Sequence, residues 1–368
     1  MTGLRLKRPT LLVDEERVKQ NIARMSARIK AGNVRFRPHF KTHQSAIIGD
    51  WFRDFGVGAI AVSSVQMATY FADHGWKDIT IALTANRLEI EEIAELSQKI
   101  DLSLLLESED EADFFAAALP RATGVWIKID VGYKRTGLDW DNPGPIISLA
   151  KRIARSSKLR FDGILTHAGH AYRARSREEI EEIYRQGVSR VNTAREQLKS
   201  AGFNQVKISF GDTPTCSLAR DFSGVDEVRC GNFVFYDVMQ FFLGSCRAED
   251  IAVALACPVL AKHAERHELV IYGGAVHLSK DSVPDSLGRQ IYGLVAPWEE
   301  KSFGPPVKDT YVSAISQEHG IIKATNSFFS RVQVGDIVLV LPVHACLTAD
   351  LMRGYLTLSG QVIPMAPR

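Results

Sequence analysis

The chain has 368 residues, 45% apolar and 24% charged, with Lys+Arg 45 against Asp+Glu 43 and a formal charge of +2. That length carries one large domain plus a smaller one, and the near-balance of charge argues against a dedicated nucleic-acid surface. No window approaches the roughly 18 apolar residues of a membrane span, and the start "MTGLRLKRPTLLVDEE" has no signal-peptide core. Five cysteines, Cys216, Cys230, Cys246, Cys257 and Cys346, are odd in number and unpatterned, so a reducing, cytoplasmic compartment is expected. Most read as small buried hydrophobes, with Cys346 the candidate exception.

In chain order, "RPTLLVD" is an early strand candidate. Val18, Ile22, Met25 and Ile29 then recur at helical spacing behind Asp14, a plausible N-cap. Eight short apolar or β-branched runs follow: "NVRFRP", "GAIAVSS", "DITIALT", "DLSLLLE", "GVWIKID", "FDGILTH", "QVKISFG" and "DEVRCG". Helical patterns separate most of them; the longest, "SREEIEEIYRQGVSRVNTAREQLKSAG", stops at Gly202. Strands alternating with helices indicate a parallel sheet buried on both faces, and eight units within about 220 residues suit a (β/α)8 TIM barrel. The doubly wound alternative more often carries a Gly-rich first turn, and none follows "NVRFRP". From about residue 246 the pattern becomes strands and turns, so a β-rich C-terminal domain is expected over 246–368, a barrel over 16–245, and residues 1–15 as a strand joining the C-terminal domain.

Barrel chemistry gathers at the C-terminal ends of the strands. The first ends at "HFKTH" with Lys41, and the fifth runs "WIKIDVGYKRTG" with Asp130 and Arg135. The sixth ends "THAGHAY" with His167, His170 and Tyr172; the seventh ends "SFGDTPT" with Gly211, Asp212 and Thr213; the eighth leads into Gly231 and Asn232. Glycines that admit close backbone approach, with the Thr213 hydroxyl, fit an anion site after strands 7 and 8, although Gly-Asp-Thr-Pro alone also reads as a simple turn. A strand-end lysine and an anion loop in one mouth suggest a phosphorylated aldehyde bonded to the amine, which is pyridoxal phosphate (PLP) chemistry.

The motifs "RPHFKTH", "DVGYKRTG", "HAGHAY", "GDTPT", "EVRCGNFVFYD", "QEHG" and "VHACLTADL" resemble, in order, the D-serine dehydratase and D-threonine aldolase group, PLP enzymes of the alanine-racemase-like fold. The resemblance implies a homodimer, Lys41 as the PLP lysine, Arg135 against the ring substituents and His167 near the ring face. It implies Tyr172 in the substrate space, and Gly211, Asp212, Thr213, Gly231 and Asn232 around the phosphate. His344 and Cys346 are two apart, so on a strand both leave one face, and imidazole with thiolate suits zinc. The spacing fits a buried core pair equally well; the resemblance implies a divalent cation there, with zinc favoured over manganese or magnesium because His-x-Cys marks dehydratase-type members.

The function so implied is a lyase on D-3-hydroxy amino acids, foremost dehydration of D-serine or D-threonine. D-threonine aldolase and a non-catalytic PLP-binding protein are the alternatives, the latter lacking a β-domain. Met67 stands where some relatives carry an acidic residue, and His170 where relatives vary. His39 and His43, which flank Lys41, read as residues that tune its pKa or hold the loop, Glu318 and His319 as a turn or a site contribution, His263 and His267 as a solvated turn, and Lys280 as surface.

Overall fold

A computed structural model describes residues 5–299 and 302–367, so residues 1–4, 300, 301 and 368 of the expected domains lie outside the described residues. The chain divides into two compact units: Arg24–Gly231 with Ala366–Arg368, and Met1–Ala23 with Asn232–Met365.

The chain begins with strand β1 (Thr10–Val13) and helix α1 (Glu15–Ala31). Asp14 caps α1, its carboxylate accepting the Arg17 N–H at 3.1 Å. Val18, Ile22, Met25 and Ile29 are all buried, as their spacing predicts; each such side chain contributes about 1.5–3 kcal/mol through burial.

The larger unit is built from β2 (Arg35–Phe36), α2 (Ala46–Arg53), β3 (Ile60–Val62), α3 (Val65–Asp73), β4 (Asp78–Thr84), α4 (Ile90–Lys99), β5 (Asp101–Leu106), α5 (Glu109–Ala118), β6 (Thr123–Asp130), α6 (Pro143–Arg155), β7 (Leu159–Thr166), α7 (Arg177–Ser200), β8 (Lys207–Phe210), α8 (Thr213–Leu218) and β9 (Glu227–Val228). The sheet runs β2-β9-β8-β7-β6-β5-β4-β3 with parallel neighbours throughout. All eight strands fall on the eight runs read from the sequence. The first and last of the series meet through a bridge between His39 and Ala61, where the Phe40 N–H donates to the Ala61 carbonyl at 2.8 Å and the Ala61 N–H to that of Pro38 at 3.0 Å. This closes the (β/α)8 barrel.

Every residue of β6 is buried, the mark of a strand covered on both faces. Leu105, Trp126 and Leu165 form one cluster of the core. The β6–β7 ladder slips between Val125 and Trp126, and opposite the slip stands Gly163 at φ +144°. A Cβ there would lie 2.2 Å from the Lys207 carbonyl oxygen, so the bulge and the approach of β8 both require glycine.

The smaller unit contains α9 (Val238–Phe242), β10 (Val253–His263), β11 (Glu268–Tyr272), α10 (Ala275–Leu278), β12 (Gly293–Ala296), β13 (Tyr311–Ile315), β14 (His319–Lys323), β15 (Ile337–Pro342), α11 (Ala345–Met352), β16 (Gly354–Thr357) and β17 (Val362–Pro364). Its sheet runs β11-β14-β13-β12-β15-β10-β1-β16-β17, and β11 also pairs with β10, so that six antiparallel strands form a closed ring. The early strand β1 joins this sheet antiparallel to β10 and parallel to β16. His263 and His267 fall at the β10–β11 turn, with His267 at φ +50°, and Lys280 is exposed. No helix among the described residues is long and apolar enough to cross a membrane.

Candidate active site

The barrel mouth collects the expected strand-end residues of the larger unit. Lys41 is exposed in the turn that follows the closing bridge. His39 and His167 lie near enough for its charge to act on both; burial first, and then Lys41 among other cations, push both imidazoles well below the usual histidine range. His167 donates from Nδ1 to the Gly211 carbonyl at 2.6 Å, which fixes the neutral tautomer and leaves a lone pair on Nε2. Its ring stands 5.9 Å from that of Tyr133 and 6.4 Å from that of Tyr172.

Asp130 ends β6 and accepts the N–H groups of Gly132, Tyr133 and Lys134, each at 2.8 Å. It therefore organises the loop that carries Arg135, whose guanidinium sits 5.0 Å from the centre of the Tyr133 ring. Tyr172 lies in a 3-10 turn after β7, and its hydroxyl accepts the Thr213 N–H at 3.3 Å, at the start of α8. Asp212 caps α8 through Thr215 N–H at 2.8 Å; burial raises its carboxyl to about 7. Gly211 and Gly231 are needed for close approach within the barrel itself, since a Cβ would lie 2.7 Å from the Arg229 backbone at the first and 2.7 Å from the His39 carbonyl oxygen at the second. His170 has a buried Nδ1 with no hydrogen-bond partner among the described residues.

Two cations of the mouth escaped the sequence reading. Lys128 and Arg229 are both buried. Arg229 donates from Nε to Ser209 Oγ at 2.7 Å; Ser209 donates to Glu227 at 2.7 Å, and Glu227 accepts from Arg37 at 2.8 Å. This column of paired groups runs along the barrel interior. The inward register of β6 and β9 was the available signal: Lys128 shares a face with Asp130, and Arg229 with Glu227. Burial and the neighbouring Arg229 lower the Lys128 amine to about 7, and burial lowers Arg229 to about 10. The donor set of the mouth is thus an exposed amine, neutral imidazoles, an inward guanidinium and a carboxyl of raised pKa. That chemistry fits an anionic aldehyde such as PLP.

In the smaller unit the expectation for His344 and Cys346 needs correction. They do not share a strand: β15 ends at Pro342, His344 is the extended residue before α11 (φ −132°, ψ 95°), and Cys346 lies in the first turn of that helix. The imidazole and thiol nevertheless come within hydrogen-bonding reach of each other. His344 Nδ1 is 2.6 Å from Asp281 Oδ2, so Nε2 is the nitrogen left for a ligand. Asn232, which the resemblance places at the phosphate, directs its amide nitrogen to Asp237 at 2.6 Å and to Cys346 Sγ at 3.5 Å. Among the described residues no group of three or more His, Cys, Asp and Glu side chains forms a ready metal cage. An imidazole and a thiol side by side are nonetheless a donor pair suited to a zinc-like ion with open positions.

Residues 13–238 match the family of the alanine racemase N-terminal domain, and residues 252–358 match a putative serine dehydratase domain. A D-threo-3-hydroxyaspartate dehydratase of Delftia sp. (strain HT23) is 30% identical, with 98% of this chain and 96% of the relative covered. The chain belongs to the D-serine dehydratase and D-threonine aldolase family, on the alanine-racemase-like fold. Another member, a D-serine dehydratase of Dictyostelium discoideum, is 28% identical over 95% of this chain and 93% of its own. The solved dehydratase from Delftia sp. HT23 superposes with a TM-score of 0.89 at 29% identity, over 98% of this chain and 97% of that one.

Proposed function

We propose that this protein is a PLP- and divalent-cation-dependent lyase that dehydrates D-3-hydroxy amino acids, D-serine or D-threonine foremost, to a 2-oxo acid and ammonia. The observation that carries the reading is the exposed Lys41 amine in a cation-rich mouth beside two imidazoles held neutral. Similarity to named dehydratases along nearly the whole chain supports the reaction class.

Lys41 would bond the cofactor aldehyde, with Gly211, Asp212, Thr213 and Gly231 around its phosphate and Arg135 and His167 about its ring. When bound, PLP supplies an electron sink for the pair left at Cα. Lys41 would serve as base on the Cα proton. His167 keeps its proton on Nδ1 against Gly211, so its Nε2 presents an acceptor rather than a second cation. Tyr172 braces the start of α8 through Thr213 and would stand in the substrate space.

His344 and Cys346 in the C-terminal domain would hold a divalent cation, zinc before manganese or magnesium, which would supply Lewis acidity toward a β-hydroxyl. The His-x-Cys pair favours dehydration over aldol cleavage. A homodimer is proposed as the working assembly and the cytoplasm as its compartment; the five free cysteines are in keeping with the latter.

The test is a product assay with D-serine and D-threonine. Pyruvate and 2-oxobutyrate with stoichiometric ammonia are expected. Glycine with acetaldehyde, and no oxo acid, would replace dehydration by aldol cleavage, and no turnover with intact bound cofactor would favour a binding protein.

A further inference from the structure

The His344–Cys346 pair is embedded in a polar shell that belongs entirely to the smaller unit. On the imidazole side, Asp281 Oδ2 holds Nδ1 at 2.6 Å. Asp281 is itself presented by the turn after α10: its N–H donates to Ser279 Oγ at 3.2 Å, Ser279 adopts φ +69°, and Thr348 of α11 donates to the Leu278 carbonyl at 3.2 Å. The loop that carries the carboxylate is thereby tied to the helix that carries the thiol.

On the sulfur side stands Asn232, nine-tenths buried, with its amide nitrogen 3.5 Å from Cys346 Sγ. Asp237 orients that amide: Oδ2 accepts from Asn232 Nδ2 at 2.6 Å and from the Ala345 N–H at 3.0 Å, while Oδ1 accepts from the Gln240 N–H at 2.9 Å. One buried carboxylate thus grips the backbone between His344 and Cys346 and the amide that faces the sulfur. Asn232 Oδ1 is buried without a hydrogen-bond partner among the described residues.

Taking the cation reading of the pair as its premise, we propose that Asp281 and Asn232 are positioning residues for that cation. Asp281 fixes the His344 tautomer with Nε2 as the ligating atom, and Asn232, held by Asp237, supports the Cys346 sulfur as an anionic ligand. A site with two protein donors depends on such outer partners more than a closed four-ligand site does, because each donor must be pre-set before the ion arrives. Loss of an outer-shell partner typically weakens metal binding roughly 10–100-fold.

The experiment is cobalt and zinc titration of metal-stripped protein, read by bound metal and by the sulfur-to-cobalt charge-transfer absorption. It is run on the natural sequence, Asp281→Asn, Asp281→Glu and Asn232→Ser, with the cofactor's visible absorbance and circular dichroism recorded in parallel. Asp281→Asn is expected to weaken binding roughly 10–100-fold, with the cofactor spectrum unchanged, and Asp281→Glu to recover part of the loss. Asn232→Ser is expected to alter the charge-transfer band as well as the affinity. Asp281 is partly exposed, so its variants test the proposal even if the buried Asn232 variant fails to fold. Unchanged cobalt affinity in Asp281→Asn, with tight binding by the natural sequence, would overturn the proposal while leaving the cation reading intact. Absence of stoichiometric binding by the natural sequence would remove the premise itself.

Discussion

Replacing Lys128 by methionine isolates the cost of burying an amine in the barrel mouth. The side chain is 6% exposed, and among the described residues its ammonium has a single hydrogen bond, to the carbonyl of Ile129 at 3.2 Å. Around it stand Arg229 and Arg135, which oppose its charge, and Asp130 and Glu107, which favour it; burial outweighs them all and lowers the amine from 10.5 to about 7. The unfolded chain therefore binds a proton that the folded chain releases between pH 7 and 10.5. Stability rises with pH across that window, and the burial cost is fully present below pH 7 and gone above 10.5. The span corresponds to about 5 kcal/mol. Methionine has similar length and no charge, so Lys128→Met should be more stable than the natural sequence at pH 7, with about half of the gap lost near pH 9 and the rest by 10.5. Urea unfolding of both cofactor-free proteins across this range measures it. A gap that does not change with pH, or a variant less stable at pH 7, would refute the argument.

Asp212→Asn gives the mirror case: burial raises this carboxyl from 3.8 to about 7, so the variant should gain about 4 kcal/mol relative to the natural sequence as pH rises from 4 to 7, and urea midpoints at the two ends check it. The cap on Thr215 survives, because asparagine also accepts. Gly163→Ala places a Cβ 2.2 Å from a fixed carbonyl oxygen at φ +144° and should cost at least about 2 kcal/mol, seen as a lowered Tm. EDTA should abolish oxo-acid formation from D-serine and zinc should restore it, while His344→Ala and Cys346→Ala should lose activity and retain the cofactor's visible absorbance.

The barrel was legible because parallel strands buried on both faces read as apolar-rich runs, as β5 does in "DLSLLLE". Two members were legible only by their place in the series. β2 and β9 have two residues each, and charge stands on them at Arg35 and Glu227 and just beyond them at Arg37 and Arg229. No apolar pattern marks such strands; what holds them is the pairing of Arg37 with Glu227 at 2.8 Å and of Ser209 with both Glu227 and Arg229 at 2.7 Å. Lys128, within β6, and Arg229, just past the end of β9, were passed over because a charge on or beside a strand looks like a surface residue until the register is known.

The His344–Cys346 pair teaches a sharper lesson about spacing. Two residues apart on a strand share a face, whereas two apart inside a helix point about 200° away from each other. Had α11 begun two residues earlier, the pair would diverge. It converges because Pro342 ends the ladder of β15 and His344 stays extended, so that only Cys346 is helical. The run Ala345, Leu347, Ala349, Leu351 is made of strong helix formers, and that propensity was the signal against a strand. The convergence thus depends on where the helix starts, and Asp237 fixes that start by accepting the Ala345 N–H. The geometry of the candidate cation site is therefore set by a capping carboxylate that lies 108 residues before the helix it pins, a separation that no local motif in "PVHACLTAD" can reveal.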